Sequence, residues 1–197
     1  MAGGASDAQG NHVDIEALAL CHRLCLPNTA SSRAGTAVLS GLYGALLSDP
    51  AAHVVWQPAS PPLPGDGAFA AGSVRYRETE AHTRRSLRAA QFARLALNAA
   101  AMPSHLLARR KWESLIPQLE IGYVLTLGTA RSLLPRSSAA RGSVVLAALE
   151  AWFRARGCVA SWVDTELSNQ RAHGFYLRRG YEEVSRDFGQ VLLKKSI

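Results

Sequence analysis

The segment Val159–Tyr181 constrains the fold more than any other part of the sequence. It opens with an apolar run, 159–163, that predicts a strand, and it continues as an amphipathic stretch that predicts a short helix. Asn169 is suited to cap the start of that helix, and Gly180 stands where a left-handed cap would end it. Tyr176 therefore leaves the helix in a fixed direction, which suits a phenol that must meet one particular atom.

Strands and helices alternate over the whole second half of the chain. Strands are predicted at Leu119–Thr129, Val159–Thr165 and Gly189–Lys195, with helices at Ser137–Arg156 and after Asn169. In the first half, helices are predicted at Val13–Leu26, Ala34–Leu47 and, as a pair divided at Met102-Pro103, over 80–112, and strands at His53–Gln57 and Ala68–Arg77. The length and the pattern together predict one mixed α/β domain over 13–197, with residues 1–12 as a disordered lead-in.

Positive charge is concentrated in the second part of the sequence. The chain carries +7, divided into −3 over residues 1–80 and +10 over residues 81–197. Residues 82–111 contain no acid and, among aromatic residues, only Phe92. A nucleic-acid module would interleave aromatic platforms with its basic residues, so no nucleic-acid partner is expected.

Two interpretations of residues 82–111 stay open: a solvated face on helices whose apolar residues pack inward, or a surface for a membrane or an anionic substrate. The residues expected to pack inward are Leu87, Phe92, Leu95, Leu106 and Leu107.

The cysteines indicate a reducing compartment. Cys21, Cys25 and Cys158 are too few, and odd in number, for a disulfide framework, so we expect buried structural thiols. Cys21 and Cys25 flank His22, but no further ligands follow at metal-binding spacing, so no metal is expected. No apolar run is long enough for a membrane span, and residues 1–12 lack the features of a secretory signal. We therefore expect a cytoplasmic protein.

The segment 169–181 resembles motif B of the GNAT family of N-acetyltransferases, which reads N-x-x-A-x-x-F-Y-x-x-x-G-F. The matching residues are Asn169, Ala172, Phe175, Tyr176 and Gly180, and Tyr181 replaces the final Phe. The order of predicted elements over 13–195 also resembles that of the family. The resemblance implies the GNAT fold, in which helices flank a central mixed β-sheet, here with the basic helices of 80–112 as an insert before the fourth strand.

The strand and helix at 119–153 stand where the family has motif A, whose Q/R-x-x-G-x-G/A loop leads into a helix. Unpaired amides at such a helix start bind the pyrophosphate of acetyl-coenzyme A, the co-substrate that the resemblance implies. The corresponding residues here are Ser137, Ser138, Ala139, Ala140, Arg141, Gly142 and Ser143. Ser137 and Ala140 depart from the family pattern, and Arg136 and Arg141 are an alternative source of positive charge.

The resemblance also implies a reaction, the direct transfer of an acetyl group to a primary amine. Tyr176 would be the general acid that protonates the departing thiolate, since a phenol of pKa about 10 is reasonably matched to a thiol of pKa about 8.5. Glu120 is the candidate general base, and Asp164 and Glu166 are weaker candidates for that role.

Three residues outside the motif A loop are expected to contact the co-substrate. Backbone groups of Leu127 and Thr129 would pair with the pantetheine arm as an added strand does. Asn169 would either contact the same molecule or only cap its helix.

Other functions stay open at this point. The departures in 137–142 motivate a catalytically weakened module that keeps the fold and binds a ligand or partner. A peripheral membrane contact through 82–111 is a further alternative. The acceptor amine, of a small molecule or of a protein, and the choice between monomer and homodimer are not determined by the sequence.

Overall fold

The computed structural model describes residues 5–6, 12–59, 66–117, 119–130 and 135–197, with the backbone alone at 5–6, 12 and 135–139. The helices are α1 Ile15–Cys25, α2 Ala30–Ala34, α3 Thr36–Ser48, α4 Tyr76–Ser86, α5 Ala89–Ala100, α6 Pro103–Trp112, α7 Pro135–Ala155 and α8 Gln170–Leu177. The strands are β1 Ala5–Ser6, β2 His12–Val13, β3 Ala52–Pro58, β4 Gly67–Ser73, β5 Ile121–Thr129, β6 Ala160–Glu166, β7 Glu182–Asp187 and β8 Gln190–Ser196. The predicted disordered lead-in falls largely on 1–4 and 7–11, outside the described residues.

Six strands form one mixed sheet in the order β3-β4-β5-β6-β8-β7. Neighbours in this sheet are antiparallel except for β5 and β6, which run parallel. The short strands β1 and β2 form a separate antiparallel pair. The predicted mixed α/β architecture is confirmed.

Helices cover both faces of the sheet. On one face α7 packs its buried Val145, Leu149 and Phe153 against the sheet, in a cluster that also contains Tyr176 of α8. Phe153 lies directly against β5 at Gly122, where any Cβ would come within 2.2 Å of the ring. On the other face, α1 and α3 cover β3 and β4, while α4 and α6 cover β5 and β6.

Three elements differ from the sequence-based expectation. The basic insert consists of three helices, because α4 ends at Ser86 and α5 begins at Ala89, and α4 begins at Tyr76, within the segment predicted as a strand. The short helix α2 was not predicted. Strand β7 was missed because its residues, Glu-Glu-Val-Ser-Arg-Asp, are mostly polar and exposed and therefore lack an apolar pattern.

The expectation that the apolar residues of the insert pack inward is partly wrong. Leu87 is buried, but Phe92 is 41% exposed, and Leu106 and Leu107 are 48% and 49% exposed. Helix α5 has no buried residue. It contacts α2, α3 and α6, yet Phe92 and Leu97 remain exposed to solvent.

A buried histidine makes stability depend on pH. His22 in α1 accepts or donates a 2.7 Å hydrogen bond between its Nδ1 and the Tyr43 hydroxyl, and its ring stacks on Phe69 at a centroid distance of 5.3 Å. Burial lowers the pKa of His22 to about 4. Since the unfolded chain has a histidine pKa of about 6.5, it takes up this proton at a higher pH than the folded chain does.

The stabilisation from neutral His22 is therefore complete above pH 6.5 and is lost as the pH falls from about 6.5 to about 4, by about 3 kcal/mol in all. We expect the free energy of unfolding of the native protein to fall faster over this range than that of His22→Gln, whose side chain does not titrate. Urea unfolding at several pH values measures the difference, with His82→Gln as the control. Parallel pH curves for the native protein and His22→Gln would contradict the assignment.

Candidate active site

The two parallel strands of the sheet separate at one point. Strands β5 and β6 pair only from Ile121 opposite Ala160 to Val124 opposite Val163. Beyond these residues β5 continues to Thr129 along β4, and β6 continues along β8. A gap therefore opens between the C-terminal halves of β5 and β6.

The backbone of β5 offers hydrogen-bonding groups to this gap. The Ala130 amide donates to the Gly67 carbonyl on the β4 side at 2.8 Å. Because strand residues alternate the direction of their N–H and C=O groups, those of Leu127 and Thr129 point away from β4. They face the side on which β6 has diverged, so this edge can accept an added extended segment.

The start of α7 lies at the same end of the sheet. This helix begins at Pro135, two residues before the predicted start, so Ser137–Gly142 lies in its first two turns and not in a loop before the helix. Amides from Ala139 onward bond within the helix, and only the first turn leaves amides without a helical acceptor. The side chains of Ser137, Ser138 and Ala139 lie outside the described residues, as does the segment 131–134.

Side chains further along α7 make specific contacts. Arg141 pairs with Asp66, just before β4, at 3.3 Å, so its charge is partly compensated. Gly142 is buried, and a Cβ there would lie 3.2 Å from Cγ2 of Thr129 and 3.6 Å from the Phe175 ring. The Ser143 hydroxyl accepts a hydrogen bond from Arg179. The absence of a side chain at Gly142 thus lets α7, β5 and α8 meet at the edge of the gap.

Helix α8 has the predicted caps. The Asn169 side chain accepts a hydrogen bond from the Ala172 amide at 3.1 Å, so it caps the helix start. Gly180 has a φ of 82°, the left-handed conformation expected after the helix end.

Tyr176 is the one side chain of α8 that is buried. Its ring contacts those of Phe175 and Tyr181, each at a centroid distance of 5.3 Å. Burial, and next the negative charge of Asp164, raise the pKa of Tyr176 above its usual value of about 10. No described residue forms a hydrogen bond with its hydroxyl. The phenol is therefore fully protonated at neutral pH and free to donate.

Asp164 lies in β6 and contacts side chains of β5 and α6. It follows Val163, the last β6 residue that pairs with β5. Its carboxylate accepts a 2.5 Å hydrogen bond from the Tyr123 hydroxyl and lies 3.4 Å from Nδ1 of His105 on α6. Its side chain is 11% exposed.

Aromatic rings and a guanidinium surround the Asp164 cluster. Tyr76 of α4 stacks on Tyr123 at 4.9 Å, and the Arg109 guanidinium lies 5.7 Å from the Tyr123 ring centroid and 5.9 Å from that of Tyr76. The buried Nε1 of Trp162 has no hydrogen-bond partner among the described residues. Helices of the insert thus form one wall beside Asp164.

The carboxylates considered from the sequence lie at different places. Glu120 is exposed, has a φ of 60°, and directly precedes β5. It is therefore about 13 Å along the strand from Val124, where the gap begins. Glu166 ends β6 and accepts a hydrogen bond from Ser168 at 3.1 Å. The sequence did not identify His105, because 59 positions separate it from Asp164 and only the fold brings the two together.

The described residues limit other kinds of site. Among them, no three His, Cys, Asp or Glu side chains are grouped so that they could hold a metal ion. None of the helices in the described part of the chain is long and apolar enough to cross a membrane.

Comparison with known proteins supports the interpretation of this end of the sheet. The model of the Acetyltransferase (GNAT) family matches residues 141–181, from within α7 to the residue before β7. A search of curated proteins found no significant match. The matched segment contains the motif B residues, and the resemblance to the GNAT family is confirmed.

Among the similar solved structures, one with a TM-score above 0.5 shows the fold. An aminoglycoside 6'-acetyltransferase type Ii is 12% identical, with 92% of this chain and 88% of that chain covered and a TM-score of 0.57. An acetyltransferase with 12% identity covers 82% of this chain and 79% of its own, with a TM-score of 0.48. The PaiA N-acetyltransferase from Thermoplasma acidophilum, solved in complex with coenzyme A, is 15% identical, and the alignment covers 40% of this chain and 47% of that one with a TM-score of 0.36. The chain has the GNAT fold.

Proposed function

We propose that this chain, which has the GNAT fold and carries the family's sequence pattern at 141–181, transfers an acetyl group from acetyl-coenzyme A to a primary amine. The observation that carries the proposal is the position of Tyr176. A protonated phenol without a described hydrogen-bond partner packs in the cluster that contains Val124 and Val163, the last paired residues of β5 and β6, and the negative charge of Asp164 contributes to its raised pKa.

The gap fits the chemistry of acetyl-coenzyme A. The backbone groups of Leu127 and Thr129 that point away from β4 can pair with the amides of a pantetheine arm, as an added strand would. The first turn of α7, with Ser137 and Ser138, supplies the amides and the positive end of the helix dipole for the pyrophosphate. Ala139, Ala140, Arg141, Gly142, Ser143 and Asn169 also remain assigned to the co-substrate. Of these, Gly142 lets α7 approach Thr129, Ser143 accepts a hydrogen bond from Arg179, and Asn169 caps α8.

Tyr176 acts as the general acid in this proposal. It gives its proton to the thiolate sulfur as the C–S bond of the thioester breaks. Glu120 stays an untested candidate for the base. Its distance from the gap makes it weaker than Asp164, which lies at the point where the strands separate.

Calorimetry with acetyl-coenzyme A tests the proposal. We expect saturable binding at micromolar co-substrate and release of coenzyme A when primary amines are added, which a thiol reagent detects. Absence of binding would remove the proposal. Binding without release over amino sugars, aminoglycosides, polyamines and peptide amines would favour the weakened binding module, which the departures in 137–142 motivate.

Replacing Gly142 by leucine is expected to weaken the binding of acetyl-coenzyme A at least about tenfold, because the new side chain must displace Thr129 or Phe175 at the edge of the gap. Isothermal titration measures the change in Kd. Gly44→Leu is the control, since a Cβ at Gly44 meets nothing within 4 Å and this residue lies in α3, away from the gap. Equal Kd values for the two variants would place the co-substrate elsewhere.

A further inference from the structure

We propose that His105 is the general base that takes the proton of the acceptor amine and that Asp164 orients it. This assignment rests on the proposed acetyl transfer and adds a residue that neither the family pattern nor the sequence identified. Its basis is a contact between the insert and the sheet, in which Nδ1 of His105 lies 3.4 Å from Oδ2 of Asp164.

The two nitrogens of the His105 imidazole have different surroundings. Nδ1 is the nitrogen that faces Oδ2 of Asp164, at 3.4 Å, so the neutral ring is expected to carry its proton on Nδ1, where the carboxylate can accept it. No described residue bonds Nε2, so this nitrogen keeps its lone pair for an incoming proton. The ring is 37% exposed, whereas Asp164 is 11% exposed, so His105 connects the buried carboxylate with solvent.

The carboxylate is held in place independently of His105. Its other oxygen accepts the 2.5 Å hydrogen bond from Tyr123, and the Tyr123 ring is itself fixed between Tyr76 and the guanidinium of Arg109. Asp164 is therefore a rigid anchor, and its orientation does not depend on the presence of the acceptor.

Several charged or titratable groups face this dyad and bear on its pH dependence. They are Asp164 from β6, Tyr123 from β5, Tyr76 from α4, Tyr176 from α8 and Arg109 one helical turn further along α6. Burial raises the pKa of Tyr123 and of Tyr176, so both are neutral at physiological pH.

The proton balance of the transfer assigns a role to each end of the site. The amine nitrogen forms a bond to the acetyl carbon, and the C–S bond breaks with its electron pair on sulfur. Of the two protons that an ammonium group loses in becoming an amide, one goes to Nε2 of His105 and from there to solvent. The sulfur takes the proton of the Tyr176 hydroxyl, and the second proton from the ammonium group then restores that hydroxyl. The imidazolium also neutralises Asp164, and this removes the charge that opposes ionisation of Tyr176.

The test compares His105→Gln with the native protein. We expect kcat/KM to fall by about 10²–10⁴-fold and its decline on the acid side of the pH profile to disappear, while the Kd for acetyl-coenzyme A stays unchanged. His82→Gln, in α4 of the same insert, is expected to behave as the native protein because its ring bonds Ser48 instead. An unchanged acid limb in His105→Gln would overturn the assignment.

The dyad itself is tested by Asp164→Asn. If the two residues act as a unit, the double variant is expected to be about as impaired as His105→Gln alone, whereas losses that multiply would contradict the pairing. Nitrogen NMR of the imidazole supplies a readout that needs no turnover: the Nδ1–H tautomer is expected to dominate in the neutral native ring and to decline in Asp164→Asn. The opposite tautomer in the native protein would overturn the dyad whether or not acetyl transfer occurs. A native protein that binds acetyl-coenzyme A but acetylates no amine would remove the base role together with the proposed function.

Discussion

Replacing Tyr176 by phenylalanine is expected to lower turnover by about 10²–10⁴-fold without changing the Kd for acetyl-coenzyme A. Phenylalanine preserves the ring contacts with Phe175 and Tyr181, so the fold of α8 should persist. Only the hydroxyl is lost, and with it the proton for the thiolate. Steady-state kinetics with a saturating amine and calorimetry on the same preparations measure the two quantities.

The matched control is Tyr181→Phe, which removes the hydroxyl of the neighbouring buried tyrosine. That hydroxyl donates to Glu150 at 3.0 Å and lies 2.7 Å from Oγ of Ser161, so its loss should affect stability and leave turnover of the folded protein unchanged. If Tyr176→Phe turns over as fast as the native protein, Tyr176 is not the acid. If both variants lose turnover equally, the effect is one of packing.

Replacing Glu150 by alanine is expected to lower the free energy of unfolding by about 3–5 kcal/mol. Glu150 is 5% exposed and joins three elements, because it accepts hydrogen bonds from Tyr181, after α8, and from Nζ of Lys195 in β8 at 2.7 Å. Its removal leaves a buried hydroxyl and a partly buried ammonium without their partner. Urea unfolding followed by circular dichroism measures the loss.

Two further variants separate this network from surface charge. Glu183→Ala removes a carboxylate that pairs with Arg186 and with His173 near the surface, and it should have a smaller effect. Combining Glu150→Leu with Tyr181→Phe and Lys195→Met should recover most of the loss, since few unpaired polar groups then remain. A loss from Glu150→Ala no larger than that from Glu183→Ala would show that the network does not stabilise the fold.

The GNAT fold and the placement of Tyr176 were predictable because local signals carry them. Asn169 and Gly180 mark the ends of α8 by their own backbone preferences, and both act as caps in the structure. The strand at 119–129 and the helix that follows are defined by long apolar patterns. Such features depend on neighbouring residues, which a single sequence displays.

The features that the sequence did not reveal depend on contacts between distant residues. Strand β7 has no apolar alternation, so only its pairing with β8 defines it. Helical periodicity does not predict the exposure of Phe92, because the sequence of α5 does not indicate which side of the helix packs against other helices. Tyr181, which replaces the Phe of the family pattern, is explained by Glu150, 31 positions away. The approach of His105 to Asp164 likewise requires α6 to be folded onto the sheet.

The anchorage of α6 has a mechanical consequence for His105. The C-terminal end of this helix is fastened to β7, because Asp187 accepts hydrogen bonds from both Lys111 and the Trp112 indole, and these bonds, with one from Ser185, lower the pKa of Asp187 to about 2. His105 stands seven residues earlier, about 10 Å along the axis from that fixed point. The helix is thus a lever, and a rotation of about 10° around Trp112 would displace the imidazole by about 2 Å, which is enough to separate it from Asp164. The position of Trp112 at the edge of the sheet therefore determines how closely His105, further along the same helix, approaches Asp164.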